Sequence, residues 1–477
     1  MGATARCTGR RQRSLIRLDR IHVIISRLAT VCIIVSGHLW RGWRQRSVYQ
    51  LYSRGSRRCS WRYLCPHCNR WDRLFPMAMQ HCLSSLHRKS GNLMSAVLNS
   101  VRELVPELRK NGFEADESRW IPQRNIDMLD QAGVFSMSVP KRFGGLDLPL
   151  SEQIDVLTEI ARGCGSTSWV SVSWVSSAWM TTLYSDAAQE EIFAGGSVRV
   201  SGGFTPTASA KPVPGGYQLN GSWRFNTGCR GAHWDLVAAI VERSDGTEDE
   251  VFAMVPMDQL TIADDWHVSA ASGTGSSTTT ATDVFVPSHR VVTAEQALLY
   301  GEPTRTPTAP GRGYSLISYV VAESVAAYIG MAKGALEVFL TRLPGKSLAY
   351  TVWTEQREHP LTQHKVALAA NKISAAETLS ASYVELLQCR ADEGKHPTWE
   401  EKAAVRGQAG MAILLVKEAI ELLQTIAGAS ALSKLSAFQR YHRDLLGLST
   451  HGLMSPDMSL EVHGRVLVGL DPQSSFL

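Results

Sequence analysis

With 477 residues, the chain is too long for one hydrophobic core, so two or three domains are expected. Its composition, 44% apolar and 19% charged, is ordinary for a globular enzyme. The net charge of +5 hides an asymmetry: residues 1–93 hold eighteen Lys and Arg against Asp19 and Asp72, a net +16, and the rest of the chain has a net charge of −11. This excludes an evenly basic surface and indicates a basic leader before an acidic enzyme body.

The leader, residues 1–93, has little helical or strand periodicity and is predicted to be disordered or a mis-assigned start, with the working protein beginning near Met94. Its Arg content also fits an organelle transit peptide, and the apolar run at 21–36 fits a signal segment. A zinc site is a further alternative, but a second well-spaced ligand pair is missing, so no metal is predicted. The residues it would use are Cys59, Cys65, Cys68, His81 and Cys82. Basic charge attracts nucleic acid, yet no binding motif accompanies it, and no nucleic-acid partner is predicted.

Residues 94–197 are predicted to form an N-terminal helical domain. Val97, Val101, Leu104 and Leu108 recur at helical spacing with charges between them. Further helices are expected at 121–132, 150–163 and 166–184, and the last of these is rich in Trp and Ser.

Residues 198–292 are predicted to form a middle β barrel or sandwich, because β-branched residues alternate between Gly and Pro turns. Residues 313–477 return to long helices, expected at 314–342, 361–393, 397–428 and 431–447 and predicted to form a four-helix bundle. The predicted fold is therefore mainly α with a central β domain.

Four motifs in this order resemble those of the acyl-CoA dehydrogenase superfamily, and the resemblance covers 94–477. They are Val139-Pro-Lys-Arg-Phe-Gly-Gly-Leu146, the hairpin Gly215-Gly-Tyr-Gln-Leu-Asn-Gly-Ser-Trp-Arg-Phe-Asn-Thr-Gly228, Gly273-Thr-Gly-Ser-Ser277 with Asp283-Val-Phe-Val-Pro287, and Ala427-Gly-Ala-Ser-Ala431 with Arg440-Tyr-His-Arg-Asp444. The resemblance implies the same order of domains and a flavin cofactor.

By that resemblance, Phe225, Asn226 and Thr227 line the flavin ring, with Thr227 near its N5 atom. A hydroxyl there can donate to or accept from N5, and Gly228 lets the backbone approach the ring. Thr274 and Ser276 are candidates for the pyrimidine edge or the phosphate. The alternative is that all of these are ordinary turn residues at the end of a strand.

Dehydrogenases of this family need a carboxylate base, which many members place seven or eight residues after the arginine-aspartate element. In this chain His451 stands in that region. A histidine in place of the expected glutamate resembles the flavin-dependent hydroxylase branch of the superfamily, in which a histidine late in the bundle is catalytic. His451 is accordingly predicted as the base that accepts a phenolic proton, since a neutral imidazole titrates near pH 6.5.

Ser173 and Trp174 are candidates for the wall of an aromatic substrate pocket, because Trp offers a flat apolar surface and Ser a small polar contact. The alternative is that the tryptophans pack the first domain against the bundle. The sequence has no glycine-rich motif of the kind that binds the phosphates of NAD(P)H, so a nicotinamide site within this chain is not expected. Reduced flavin must therefore come from a separate NAD(P)H:flavin reductase.

The function these observations favour is the oxygenase component of a two-component flavin-dependent monooxygenase. It would hydroxylate a phenolic, polyketide or steroid-like aromatic substrate with O₂ and reduced FMN or FAD, through a flavin C4a-hydroperoxide. The resemblance also implies a homotetramer or homodimer, and a cytoplasmic enzyme without a membrane partner. The alternative is an acyl-CoA dehydrogenase or flavin oxidase that uses Glu323 as its base, although a carboxylate on a helix surface is the plainer interpretation of that residue.

Overall fold

Helices form the first part of the chain that can be described. The computed structural model describes residues 96–243, 245–474 and 476–477, so the predicted leader and its candidate zinc ligands lie outside the described residues. The helices before the sheet are α1 (Ala96–Glu117), α2 (Gln123–Gln131), α3 (Leu150–Gly163), α4 (Gly165–Met180) and α5 (Asp186–Ile192). The predicted N-terminal helices are present, and their ends differ from the predictions by a few residues.

Helix α4 is the most deeply buried of these elements. Its own tryptophan, valine and small hydroxyl residues are distributed over all sides of the helix, so it has no polar face to present to water. It packs against α3, against a central C-terminal helix and against the first strand of the sheet. Every residue of α4 is buried except Ser173. The helix therefore provides a rigid support on which side chains from several parts of the chain meet.

The middle of the chain forms one seven-stranded sheet. Its strands are β1 (Val200–Val213), β2 (Gly216–Trp223), β3 (Trp234–Glu242), β4 (Glu248–Pro256), β5 (Thr261–Ile262), β6 (Thr279–Pro287) and β7 (Val291–Thr293). They are arranged in the order β5-β6-β2-β1-β3-β4-β7, and every pair is antiparallel except β1 with β3.

The predicted middle β domain is present as a mixed sheet. Within the described residues, the edge strands β5 and β7 do not pair with each other. They are two and three residues long. The central hairpin is present as predicted: Val213 pairs with Gly216, and Gly215 takes φ +84 in the turn between β1 and β2.

Helices return after the sheet. They are α6 (Ala294–Leu299), α7 (Leu316–Thr341), α8 (Pro360–Asp392), α9 (Trp399–Ala427), α10 (Ala437–Leu448) and α11 (Pro456–Leu467). Thr398 and Glu401 form a capping box that fixes the start of α9. Helix α7 is the centre of this region, because α3, α4, α8, α9 and α10 all pack against it.

By length and composition α7 could cross a membrane, but 94% of its most apolar window is buried inside the protein. This is the pattern of a core helix, whose apolar residues face other helices on all sides.

Candidate active site

The strand β2 ends in a strained turn that contains the predicted flavin-facing residues. Phe225 has φ +61 and Gly228 has φ +80, both in the left-handed region that most side chains avoid. The side chain of Phe225 is 65% exposed, with its ring packed edge-on against Trp266 at 6.0 Å. An exposed aromatic ring held in a strained turn is a feature typical of binding sites.

Asn226 is buried beneath this turn and anchors it to the sheet. Its Nδ2 donates to Asp235 Oδ2 at 2.6 Å and to Thr279 Oγ1 at 2.8 Å. Burial raises the pKa of Asp235 to about 6, although hydrogen bonds from Ser201, Asn226 and Thr279 oppose the rise. The amide of Asn226 therefore points into the sheet. Its buried Oδ1 has no hydrogen-bond partner among the described residues, which leaves one acceptor open.

Thr227, Ser276 and Thr274 bring their hydroxyl groups together. Thr227 Oγ1 lies 2.9 Å from Ser276 Oγ, which lies 2.8 Å from Thr274 Oγ1. Thr274 and Ser276 are buried, whereas Thr227 is half-buried. The backbone N–H of Gly228 donates to the carbonyl of Thr274 at 3.3 Å, which joins the two segments. The sequence predicted all three as flavin-binding residues, and the structure places them in one hydrogen-bonded cluster.

Ser173 and Trp174 on α4 support this cluster from behind. Ser173 Oγ donates to the carbonyl of Thr227 at 3.2 Å, and Trp174 Nε1 donates to the carbonyl of Gly228 at 3.1 Å. Trp174 is fully buried, with its ring edge-on against Phe135 at 5.2 Å. The sequence made Trp174 a candidate for the wall of an aromatic substrate pocket. In the structure its ring instead packs against the turn after β2, because α4 is buried on that side. Ser173 keeps some exposure and stays a candidate for substrate contact.

Replacing Gly228 by Ala is expected to lower the free energy of unfolding by about 3 kcal/mol. A Cβ there would lie 2.6 Å from Trp174 Nε1, and the residue would keep its positive φ. Gly215→Ala is the matched control, because Gly215 has φ +84 and nothing within 4 Å of the added carbon. It should cost about 1 kcal/mol from backbone strain alone. Equal losses for both variants in urea denaturation would contradict the role given to the Trp174 contact.

His451 lies just after the end of α10, and its side chain contacts α4. Its ring packs edge-on against Trp169, with 5.7 Å between centroids, and Trp169 in turn packs against Tyr328. The imidazole is solvent-accessible, but surrounding protein removes enough water to lower its pKa from the ordinary value of 6.5. With its pKa below 6.5, the imidazole of His451 is neutral at pH 7.

One face of α4 gathers the candidate site residues. Trp169, Ser173 and Ser176 are spaced by four and three residues, so they lie on one face within about 10 Å along the axis. Trp169 contacts His451, and Ser173 binds Thr227. Ser176 Oγ donates to Glu323 Oε2 at 2.5 Å. The structure thus connects the predicted histidine and threonine, which are 224 positions apart in the chain, through a single helix.

Glu323 lies in the core and not on a helix surface. Its side chain is fully buried on α7, and burial raises its pKa to about 8 despite the hydrogen bond from Ser176. The interpretation of Glu323 as a carboxylate on a helix surface is wrong, because other helices cover α7 on all sides.

Asp444 is a residue whose role the sequence did not reveal. Its buried Oδ1 accepts the backbone N–H of Ala271 at 2.7 Å, and burial raises its pKa to about 6. Ala271 begins the turn that holds Thr274 and Ser276. The motif Arg440-Tyr-His-Arg-Asp444 was the available signal, but its partner lies 173 residues away.

The described cavities do not coincide with this cluster. A surface cavity of about 390 Å³ lies at 296–307, lined by residues that include Tyr300 and Arg305. Among the described residues, no group of three or more His, Cys, Asp or Glu side chains is placed to hold a metal ion. The candidate site is therefore defined by its hydrogen bonds and strained turn.

Comparison with known proteins places this geometry in a family. Residues 94–194 match the acyl-CoA dehydrogenase N-terminal domain, and residues 322–456 match the acyl-CoA dehydrogenase C-terminal domain. The oxygenase subunit HsaA, a flavin-dependent monooxygenase of Mycobacterium tuberculosis, is 28% identical over 79% of this chain and 96% of its own. The oxygenase component of the FADH₂-dependent resorcinol hydroxylase from Rhizobium sp. is 28% identical over 77% of this chain and 93% of its own.

Among solved structures, XiaF from Streptomyces sp., in complex with FADH₂ and glycerol, has a TM-score of 0.76 at 25% identity, covering 84% of this chain and all of that one. The 3-HSA hydroxylase from Rhodococcus sp. RHA1 has a TM-score of 0.74 at 27% identity, covering 80% of this chain and 99% of that one. The chain belongs to the acyl-CoA dehydrogenase superfamily. Within it, the chain belongs to the flavin-dependent monooxygenase branch, so it is an oxidoreductase, as the sequence motifs predicted.

Proposed function

We propose that this chain is the oxygenase component of a two-component monooxygenase that hydroxylates a phenolic, polyketide or steroid-like aromatic substrate with O₂ and reduced FMN or FAD. The observation that carries the proposal is that His451 packs beside Trp169 on α4. The same face of α4 carries Ser173, which donates a hydrogen bond to the carbonyl of Thr227. A neutral base and a flavin-facing hydroxyl are thereby held by the same rigid element. The oxygenase names of the relatives support the same class.

The residues of the turn fit a flavin. Phe225 offers an exposed aromatic surface, Asn226 Oδ1 is a buried acceptor without a partner among the described residues, and Thr227 offers a hydroxyl. Ser276 and Thr274 stand behind that hydroxyl. We assign the flavin to Phe225, Asn226, Thr227, Gly228, Thr274 and Ser276. When bound, reduced flavin supplies the electrons that activate O₂ for transfer of one oxygen atom to the substrate.

His451 would act on the substrate. Its lowered pKa keeps the imidazole neutral at pH 7, so one ring nitrogen is free to accept the proton of a phenolic hydroxyl. Losing that proton raises the electron density of the aromatic ring and makes its carbon a better nucleophile toward oxygen. Trp169 holds the imidazole edge-on and limits its rotation. Ser173, the only residue of α4 that is not buried, would contact the substrate from the helix.

We infer a separate NAD(P)H:flavin reductase as partner, since the relatives are named as oxygenase subunits or components. The reductase requires NAD(P)H, which favours a cytoplasmic enzyme. The buried thiols of Cys164 and Cys229 fit a reducing compartment.

We also infer a four-helix bundle from α7, α8, α9 and α10, and a homotetramer or homodimer. Leu361 and Leu368 lie exposed on α8, and a second copy would cover them. Light scattering of the full chain tests the oligomer.

The test of the function is oxygen transfer by the full chain. The protein is mixed with an NADH:flavin reductase, FMN or FAD, and a panel of phenols that includes resorcinol and p-hydroxyphenylacetate under ¹⁸O₂. Mass spectrometry should detect a product that carries one ¹⁸O atom. The proposal is wrong if no phenol of the panel gains oxygen and an acyl-CoA panel instead bleaches the bound oxidised flavin. That outcome would favour the dehydrogenase alternative, in which Glu323 is the base.

A further inference from the structure

The surface cavity of about 390 Å³ lies at the end of α6 and in the segment before α7, outside the candidate active site. Leu299, Tyr300, Pro303 and Pro307 give it largely apolar walls. Its volume falls within the range of about 300–1,000 Å³ in which small ligands bind. Leu299 and Tyr300 are exposed, and exposed apolar side chains grouped around a cavity are a feature of binding sites.

The ring of Tyr300 is held in place although it is exposed. It packs against the imidazole of His396, with 4.5 Å between the ring centroids. Burial, together with the positive charges of Lys402 and Arg305, lowers the pKa of His396 to about 4, so its imidazole is neutral at pH 7. The cavity therefore has a fixed aromatic surface on which a planar ring can pack.

Arg305 also lines the cavity, and the chain folds around its side chain. Nε and Nη2 donate to the carbonyl of Tyr300 at 3.3 and 2.7 Å, and Nη1 donates to the carbonyl of Thr306 at 3.3 Å. A Cβ on Gly301 would lie 2.5 Å from Arg305 Nε, so only glycine allows this close packing. These bonds use three of the five N–H groups of the guanidinium and fix its plane, which leaves two N–H groups for a ligand.

Arg305 has no carboxylate partner within 4 Å among the residues that the structure describes, since its hydrogen bonds go to backbone carbonyls. Asp186 and Glu302 favour its charge from a distance. Threonine hydroxyls engage both carboxylates: Thr306 Oγ1 donates to Asp186 at 2.7 Å, and Thr304 Oγ1 donates to Glu302 at 2.8 Å. Burial still lowers the pKa of Arg305. A guanidinium that is partly removed from water and unpaired is stabilised by an added anion.

The cavity is joined to the chain beyond α4 and not to the face that carries Ser173. The backbone N–H of Glu302 donates to the carbonyl of Leu183 at 2.7 Å, and Leu183 follows Ser173 by ten positions. No residue of the cavity wall belongs to α4 or to the turn after β2. Changes in the cavity can therefore be made without altering the candidate active site.

We propose that this cavity is a second ligand site and that it binds a small aromatic carboxylate. The ring of the ligand lies against Tyr300, Pro303 and Pro307, and its carboxylate accepts the two remaining N–H groups of Arg305. A planar carboxylate matches the fork of a guanidinium. The apolar walls disfavour a strongly hydrated anion such as inorganic phosphate, because they offer few partners for its oxygens.

The test is isothermal titration calorimetry of the full chain with sodium benzoate and with benzamide, its neutral isostere. Benzoate should bind, and Arg305→Gln should weaken its binding by at least about tenfold, because a charge-assisted hydrogen bond is worth that factor. Benzamide should bind the wild type more weakly by a similar factor. Arg124→Gln is the matched control and should bind benzoate like the wild type, because Arg124 is an exposed arginine on α2 that already pairs with Glu114.

A second pair of variants covers a failure of Arg305→Gln to fold. Leu299→Glu adds a negative charge at the rim through an exposed side chain, so the fold should be retained. Repulsion should weaken benzoate binding by roughly fivefold at low salt, and less at high salt. Leu299→Gln has nearly the same size without the charge, and its affinity for benzoate should exceed that of Leu299→Glu.

The inference is overturned if benzoate does not bind the wild type, or if either folded variant, Arg305→Gln or Leu299→Glu, binds it as tightly as the wild type does. Equal affinities of the wild type for benzoate and benzamide would also overturn it, because the charge would then not be recognised. The titrations contain no flavin, so their result is independent of oxygen transfer, which the ¹⁸O₂ experiment tests.

Discussion

The rate of hydroxylation is expected to fall by roughly 10²–10⁴-fold when His451 is replaced by Ala, while flavin affinity stays within about twofold. The imidazole is predicted to take the phenolic proton, and alanine offers no base in its place. Flavin affinity should be spared because Thr227 forms its hydrogen bonds with Ser173 and Ser276, and none with His451 among the described residues. The measurements are single-turnover product formation and a separate flavin titration. Product formation at the wild-type rate would remove the assigned role.

The pH dependence of the wild type gives a second check on the same residue. A base works in its neutral form, and burial lowers the pKa of His451 below 6.5. Activity should therefore persist as the pH falls to 6.5 and decline only below it. The acid limb should vanish in His451→Ala. His289→Ala, at an exposed histidine that follows β6, is the matched control and should keep both the rate and the profile.

Much of the fold could be predicted because its signals are local. The spacing of apolar residues along α1, and the long apolar segments of α7 and α9, predicted helices whose observed ends differ by a few residues. Strand β1 is the exception, because it extends as far as Val213. Two prolines within it disfavour a strand, but pairing with β2 and β3 on both sides extends it. That pairing is long-range and leaves no local signal.

The site was predictable only where one segment carries the chemistry. The turn from Phe225 to Gly228 was found by its motif, and the structure keeps its residues together. Trp174 and Glu323 were misplaced because burial depends on which helices pack around α4 and α7. The contact of Asp444 with Ala271 depends on two segments that meet only in the folded chain. Local residue types predict which groups are present, and tertiary packing decides which of them face a ligand.

Glu323→Gln is expected to remove a large pH-dependent loss of stability and to keep hydroxylation. Burial raises the pKa of Glu323 to about 8 in the folded chain, above the value of 4.5 in the unfolded one. The folded state thus binds more protons, so the stabilisation is complete below pH 4.5 and is lost as the pH rises through 8. The loss is on the order of 5 kcal/mol for a fully buried carboxyl.

Glutamine has the same shape and no proton to lose, so the variant should be more stable than the wild type at pH 9 and should lack this slope. The difference between the wild type and Glu323→Gln in urea denaturation between pH 6.5 and 9 isolates Glu323, because other groups that contribute in this range, such as the buried thiol of Cys229, are present in both chains. Glu385→Gln, on the exposed side of α8, is the control and should follow the wild type. Identical slopes for wild type and Glu323→Gln would show that the buried carboxyl does not ionise in this range. Loss of substrate oxidation in Glu323→Gln with stability intact would instead give Glu323 the role of base, because a neutral amide of the same shape preserves packing but cannot accept a proton.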